Sequence, residues 1–307
     1  MRFDEATLQF LAYCDLERGF SPGTISAYQS DLRQWREYLT GTLGDGSVPL
    51  CDITRQLVRG FIVQQRERGL SSTTVGRRIN CLRSFWRFLE HAEVVTDNPL
   101  EGIRLPKTRS TLPAFLTDDE MRRLLEAAGR THYRNLAGRD RAVIGTFLFT
   151  GVRRTELLKL HVTDLNLEDN LLLVREGKGG RMRTIPVLTP LRELLLNWLD
   201  ERPSCSHDSL FVNRERQPLG RHAVQVLFDG CRERAAIRRE GVTIHTLRHS
   251  FACALLRGGA NLVAIQQLMG HVSLDTTSIY LRVTGAELRE AVAVHSLSTT
   301  SAGAGGR

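Results

Sequence analysis

Lysine is almost missing from this sequence: Lys107, Lys159 and Lys178 are the only three among 42 basic residues. The rest are arginine, which stays charged at any relevant pH and offers a planar fork of donors to phosphate or carboxylate oxygens. No apolar run approaches the roughly 18–20 residues of a membrane span, so no partner membrane is expected. The opening stretch MRFDEATLQF carries acids and has no apolar signal core, which argues against export. The six cysteines (Cys14, Cys51, Cys81, Cys205, Cys231, Cys253) form no CxxC pair. Such scatter fits reduced thiols of a cytosolic protein better than a disulfide framework or a zinc site. A nucleotide loop is missing too, because GKGG at 177–180 lacks the GxxxxGK[ST] frame. No cofactor and no metal ligand set is expected.

What is present divides the chain. Its 307 residues are enough for two domains. Residues 1–105 hold 13 arginines and 13 acids, so the whole net charge of +8 falls in residues 106–307. That surplus points to a polyanionic partner. The first 97 residues read as a small domain of four or five helices. SPGTISAYQSDLRQWREYL offers Ser21 as N-cap and Pro22 at the first helical position. In STTVGRRINCLRSFWRFLEH a stripe of Val75, Ile79, Leu82, Trp86 and Leu89 recurs with the helical period, beside a polar face of Gly76, Asn80, Arg83 and Arg87. Residues 98–116, with three prolines, read as an extended basic linker. LTDDEMRRLLEAA restarts a helix with a capping box, Thr117 to Glu120. A mixed domain then runs over 117–292: a helix at 138–150, a helix containing RRTELLKL, two strands around a Gly-rich turn, and more helices. The tail 293–307 is small, polar and Gly-rich and is expected to be flexible.

The unusual polar groups lie in this second part. In HTLRHSF, the spacing i, i+3, i+4 sets His245, Arg248 and His249 on one helical face, with Leu247, Phe251 and Leu255 on the packing side. NLVAIQQLMGH reads as a helix capped by Asn261 and stopped by Gly270, with His271 just beyond. SLDTTSIYLRV starts another short helix bearing Tyr280. Upstream, TGVRRTELL places Arg153 near a helix start with Glu156 one turn on, and Lys178 sits in a tight turn between strands. Singly, each has a commonplace reading: a surface helix, a hairpin turn, a packed tyrosine.

Together, and in this order, TGVRRTELL, GKGGRMRTIPV, HTLRHSFA and LMGHVSLDTTSIYLRV resemble the tyrosine recombinase (phage integrase) family, in particular its short Xer-like members. The resemblance spans essentially the whole chain. It implies a mostly α fold with a small antiparallel sheet in the C-terminal domain: a helical, SAM-like core-binding domain followed by a mixed catalytic domain. It also implies Arg153 and Arg248 as an arginine pair, Lys178 as the hairpin lysine, His245 and His271 as the histidines, and Tyr280 as nucleophile. Glu156 matches the family's supporting acid. Arg154 departs from the family's usual small or apolar residue and is a candidate DNA contact, as are Arg77, Arg83, Arg87, Lys107 and Arg109. The implied partner is double-stranded DNA with inverted repeats, bound by a tetramer whose C-terminal helix (AELREAVAVHSL) packs on a neighbouring subunit. A paralogous recombinase could complete that tetramer, acting in the cytoplasm at the nucleoid. The early start of the helical pattern is expected to leave no room for an arm-binding domain. Within the family, a resolvase of chromosome or plasmid dimers and the integrase of a mobile element both stay open; the rivals outside it are a type IB topoisomerase-like enzyme and a DNA-binding factor without strand exchange.

The residue types suit the chemistry. Phosphoryl transfer builds charge on non-bridging oxygens, and two guanidiniums can stabilise it without a metal. The sequence offers arginines where metal-dependent nucleases place carboxylate clusters. DNA cleavage should therefore continue in excess EDTA; loss of activity in chelator, restored by magnesium, would overturn this expectation.

Overall fold

A computed structural model describes residues 1–44, 46, 48–105, 114–131, 136–175 and 182–270. The chain forms two compact units, residues 1–110 and 111–307. The fold is mostly helical, with one small antiparallel sheet. Among the described residues no helix is long and apolar enough to cross a membrane.

The first unit contains α1 (Phe3–Leu16), α2 (Pro22–Leu43), α3 (Arg55–Glu67) and α4 (Ser72–His91). Ser21 caps α2 as expected, its Oγ accepting from Thr24 N–H at 3.2 Å, and Ser71 caps α4 through Thr74 N–H at 3.2 Å. The whole α4 stripe is buried, together with Phe85. It meets Phe3 and Phe10 edge-on through Phe85, which makes an aromatic core. Beneath the α4 surface lies Asp31, 2% exposed, paired with Arg77 and Arg78. In the stretch expected as a linker, Leu100 and Ile103 are buried in this unit's core, and Leu116 is buried in the core of the other. Its middle, 106–113, lies outside the described residues.

The second unit opens with α5 (Asp118–Ala128), where Thr117 and Glu120 form the expected capping box. At its centre is α6 (Ala137–Thr150), buried on nearly every side and packed against α5, α8 (Thr189–Glu201) and α10 (Ile244–Arg257). The first turn of α6 carries the buried Arg139–Asp140 pair, and from Ala142 on every residue is apolar or threonine, as suits a core helix. Next, α7 is a single turn, Arg154–Leu157, shorter than RRTELLKL suggests. The backbone beyond it pairs elsewhere: Leu160 C=O accepts from Leu210 N–H at 2.7 Å, and Val162 N–H donates to Asp208 C=O at 2.8 Å. The sheet has three strands in order β1 (Leu165–Asn166), β2 (Leu171–Val174), β3 (Arg183–Pro186). Leu172 and Ile185 face each other across β2 and β3 on the buried face. Pro186 is tolerated because β3 is an edge. Then come α9 (Arg221–Arg234), α10 and α11 (Leu262–Met269), the last capped by Asn261 and stopped by Gly270 at φ 62°.

One glycine ties this core to the site. Gly151 ends α6 at φ 60°, and a Cβ on it would stand 2.4 Å from the Phe251 ring of α10. Gly151→Ala therefore adds left-handed strain to overpacking and should cost about 2–4 kcal/mol. Urea titration of the variant should show a lower midpoint with an unchanged slope.

Candidate active site

The C-terminus of α11 is where the described site residues meet. Three consecutive carbonyls there each accept from an arginine of a different element. Leu268 C=O takes Nε of Arg183 from β3 at 2.8 Å, Met269 C=O takes Nη2 of Arg248 from α10, and Gly270 C=O takes Nη2 of Arg153 at 3.4 Å. The last carbonyls of a helix lack internal partners and carry the negative end of its dipole, so cations are favoured there. Arg248 is also held by Gly151 C=O, at 2.5 Å from its Nη1. Its guanidinium thus bridges the ends of α6 and α11.

Glu156 organises the other two arginines. Its carboxylate accepts from Arg153 N at 2.7 Å and Nη1 at 2.8 Å, and from Arg183 Nη1 at 3.0 Å and Nη2 at 2.7 Å. Burial alone would raise this carboxyl, but hydrogen bonding and charge from Arg183, then from Arg153, outweigh it and hold the group below the usual carboxylate range. Glu156 is therefore ionised.

Beside these residues opens a cleft of about 360 Å³, lined by Arg153, Arg154, Gln225, Thr243, His245 and Arg248. The N-terminus of α10 borders it, with Thr243 N–H donating to Thr246 Oγ1 at 2.9 Å. Converging guanidiniums make this cleft a candidate anion site. Arg154 reaches its wall and donates to Gln225 Oε1 at 3.2 Å.

The histidines differ in surroundings. His245 faces solvent at the cleft, while desolvation by the protein behind it, followed by the Arg248 and Arg153 cations, lowers its pKa. A neutral ring can accept a proton. His249 packs edge-on against it, with ring centroids 4.8 Å apart.

The structure brings Arg153, Arg248 and His245 together. Arg248 departs from the polar helical face on which its spacing puts it: it is 3% exposed, because the helix ends it serves lie inside the unit. Lys178, His271, Tyr280, Lys107 and Arg109 lie outside the described residues. In the first unit, Arg77 pairs with Asp31, Arg83 donates to Ile103 C=O at 2.6 Å, and Arg87 is exposed. Sequence reasoning missed Arg183. The available signal was its phase, since it shares a strand face with the buried Ile185. An arginine on an inward face needs a buried acceptor.

Burial, then the neighbouring His245 and Arg248, pushes the His249 imidazole from 6.5 down to about 4. The unfolded chain takes up this proton first, so the contribution to stability is complete above pH 6.5 and is lost as pH falls toward 4. Replacing the ring by Phe removes the titration while keeping its bulk. His249→Phe should show a shallower fall in stability across that interval; an unchanged slope would mean His249 is not the group responsible.

Comparison with known proteins agrees with this architecture. The chain matches the Phage integrase family over residues 114–287 and the Phage integrase, N-terminal SAM-like domain over residues 8–93. It is 34% identical over 292 residues to Tyrosine recombinase XerC of Pelotomaculum thermopropionicum, covering 92% of this chain and 94% of that protein. It is 36% identical over 291 residues to Tyrosine recombinase XerD of Chlorobaculum tepidum, covering 92% of each. Among solved structures it is similar to the XerH site-specific recombinase bound to palindromic difH substrate, at 26% identity and a TM-score of 0.74, over 94% of this chain and 84% of that one. Two family models over most of the chain, and these relatives along nearly its full length, place it in the phage integrase family, as a tyrosine recombinase.

Proposed function

We propose that this tyrosine recombinase cleaves and rejoins duplex DNA at a defined site through a 3′-phosphotyrosyl bond to Tyr280. The observation that carries the reading is the convergence of Arg153, Arg248 and the start of α10 on one cleft beside a neutral His245. A phosphodiester bound there would have its non-bridging oxygens met by the two guanidiniums, whose stabilisation grows as charge develops. Tyr280 attacks the phosphorus, and its phenol proton, with a reference pKa of about 10, passes to His245. The bond from phosphorus to the 5′-oxygen breaks, and Lys178 supplies the proton that the departing oxygen needs. His271 donates a hydrogen bond to the phosphate. Rejoining runs the same steps backwards with the 5′-hydroxyl of another strand, so the bond energy is conserved in the covalent intermediate.

Residues 1–97 serve as the core-binding domain, 98–116 as the linker, 117–292 as the catalytic domain and 293–307 as a tail. Arg77, Arg87 and Arg154, with Lys107 and Arg109, contact the DNA backbone, and Arg83 supports that surface. Two inverted half-sites require at least two protomers, and a strand exchange between two sites requires four, linked through the C-terminal helix. A paralogous recombinase can fill two of the four places. The enzyme works in the cytoplasm, at the nucleoid. Resolution of chromosome or plasmid dimers and movement of an integrating element both use this chemistry.

Tyr280→Phe removes only the phenol oxygen. On a nicked DNA substrate it should form no covalent adduct while binding the DNA as tightly as the parent protein, because phosphate contacts dominate affinity. An adduct formed by this variant would show that the nucleophile is another residue.

A further inference from the structure

Arg183 is the described cation in this region to which the proposed chemistry gives no task, yet it is among the most tightly held. Its side chain is 9% exposed, it grips both oxygens of Glu156, and its Nε reaches Leu268 C=O. A Cβ on Gly270 would stand 3.2 Å from its Nη1, so the chain at 270 runs directly against the guanidinium.

We infer that Arg183 is a positioning residue: by taking up the charge of Glu156 it leaves the guanidinium of Arg153 free to meet the scissile phosphate. Glu156 is needed to aim Arg153, since it holds both the backbone N–H and Nη1 of that residue. Holding has an electrostatic consequence. A carboxylate 2.8 Å from Arg153 cancels much of the charge on which transition-state stabilisation depends. A second guanidinium on the same carboxylate reverses this, leaving the trio of two cations and one anion positive. It also occupies lone pairs that would otherwise draw Arg153 into a fork-to-fork pair. The inference rests on the reading of Arg153 as a phosphate-binding catalytic residue.

The test measures single-turnover adduct formation on nicked DNA, with DNA affinity and thermal stability measured alongside. Arg183→Met should slow adduct formation about 10²-fold, comparable to losing one charged donor, with DNA affinity within about threefold of the parent. Arg183→Lys keeps the cation and should stay within about fivefold. Adding Glu156→Gln to Arg183→Met removes the excess negative charge and should recover at least about tenfold. A merely structural role predicts the opposite pattern: Lys as slow as Met, and no recovery in the double variant. Either result overturns the inference, as does an Arg183→Met protein that is folded and fully active. Should Arg183→Met fail to fold, the Lys variant alone decides, because it keeps the charge and loses the fork. Arg153→Ala, run in parallel, separates the two levels. If it reacts like the parent, the site reading itself falls; if it is slow while Arg183→Met is normal, only the positioning role does.

Discussion

A buried carboxylate surrounded by arginine donors governs this site. Glu156, 4% exposed, accepts four hydrogen bonds from Arg153 and Arg183. Removing an ionised carboxylate from water is costly unless its lone pairs are satisfied. Here the satisfaction comes from two elements, the α6–α7 turn and β3, so the packing of the second unit also assembles the candidate anion site. The carboxylate is held ionised only with both arginines in place, since burial alone would raise its pKa.

The arginines are fixed at their other ends by peptide groups. The end of α6 presents Gly151 C=O, and the end of α11 presents the carbonyls of 268, 269 and 270. The last residues of both helices, Thr150 and Met269, are buried, so a guanidinium seated on these ends is placed by the packing of the core. That connects the mundane to the chemical. α6 is buried on nearly every side, its end is placed by packing on α5, α8 and α10, and the position of Arg248 follows. Gly151 enters twice, once as the left-handed residue that stops α6 and once as the acceptor for Arg248.

How much of this could be read beforehand differs by element. Caps and stripes carried their own signals: Ser21 before Pro22, Thr117 before Glu120, and the run from Val75 to Leu89 all appear in the structure as local chemistry requires. That α7 stops after a single turn was not legible, because the backbone just beyond it, at Leu160 and Val162, pairs with Leu210 and Asp208, some fifty residues away. The depth of Arg248 was hidden for a related reason. Helical phase places it beside His245 and His249, and only the arrival of two foreign helix ends makes the interior hospitable to it. Arg183 had a signal in its strand phase, but its partners stand 27 and 85 residues along the chain and a single sequence does not name them. The motifs identified the family; they could not show which cations the structure spends on itself.

That last distinction revises what the arginine excess means. Many arginines of the second unit act as cross-links in two directions at once. Arg239 joins Glu120 to Phe115 C=O, Arg123 joins Asp119 to Ala235 C=O, and Arg202 holds the carbonyls of His207 and Ser209. A lysine, with one point of charge on a flexible stem, makes such bridges poorly. Part of the basic composition is therefore structural cement, and the net charge of +8 overstates the cation density a polyanion would meet. The cations that matter for such a partner are those whose donors point outward or into the cleft. Arg153 belongs to that class because Glu156 and Gly270 engage only some of its five donors. Charge counted along a sequence suggests a class of partner, and the hydrogen-bond pattern identifies which charges remain to bind it.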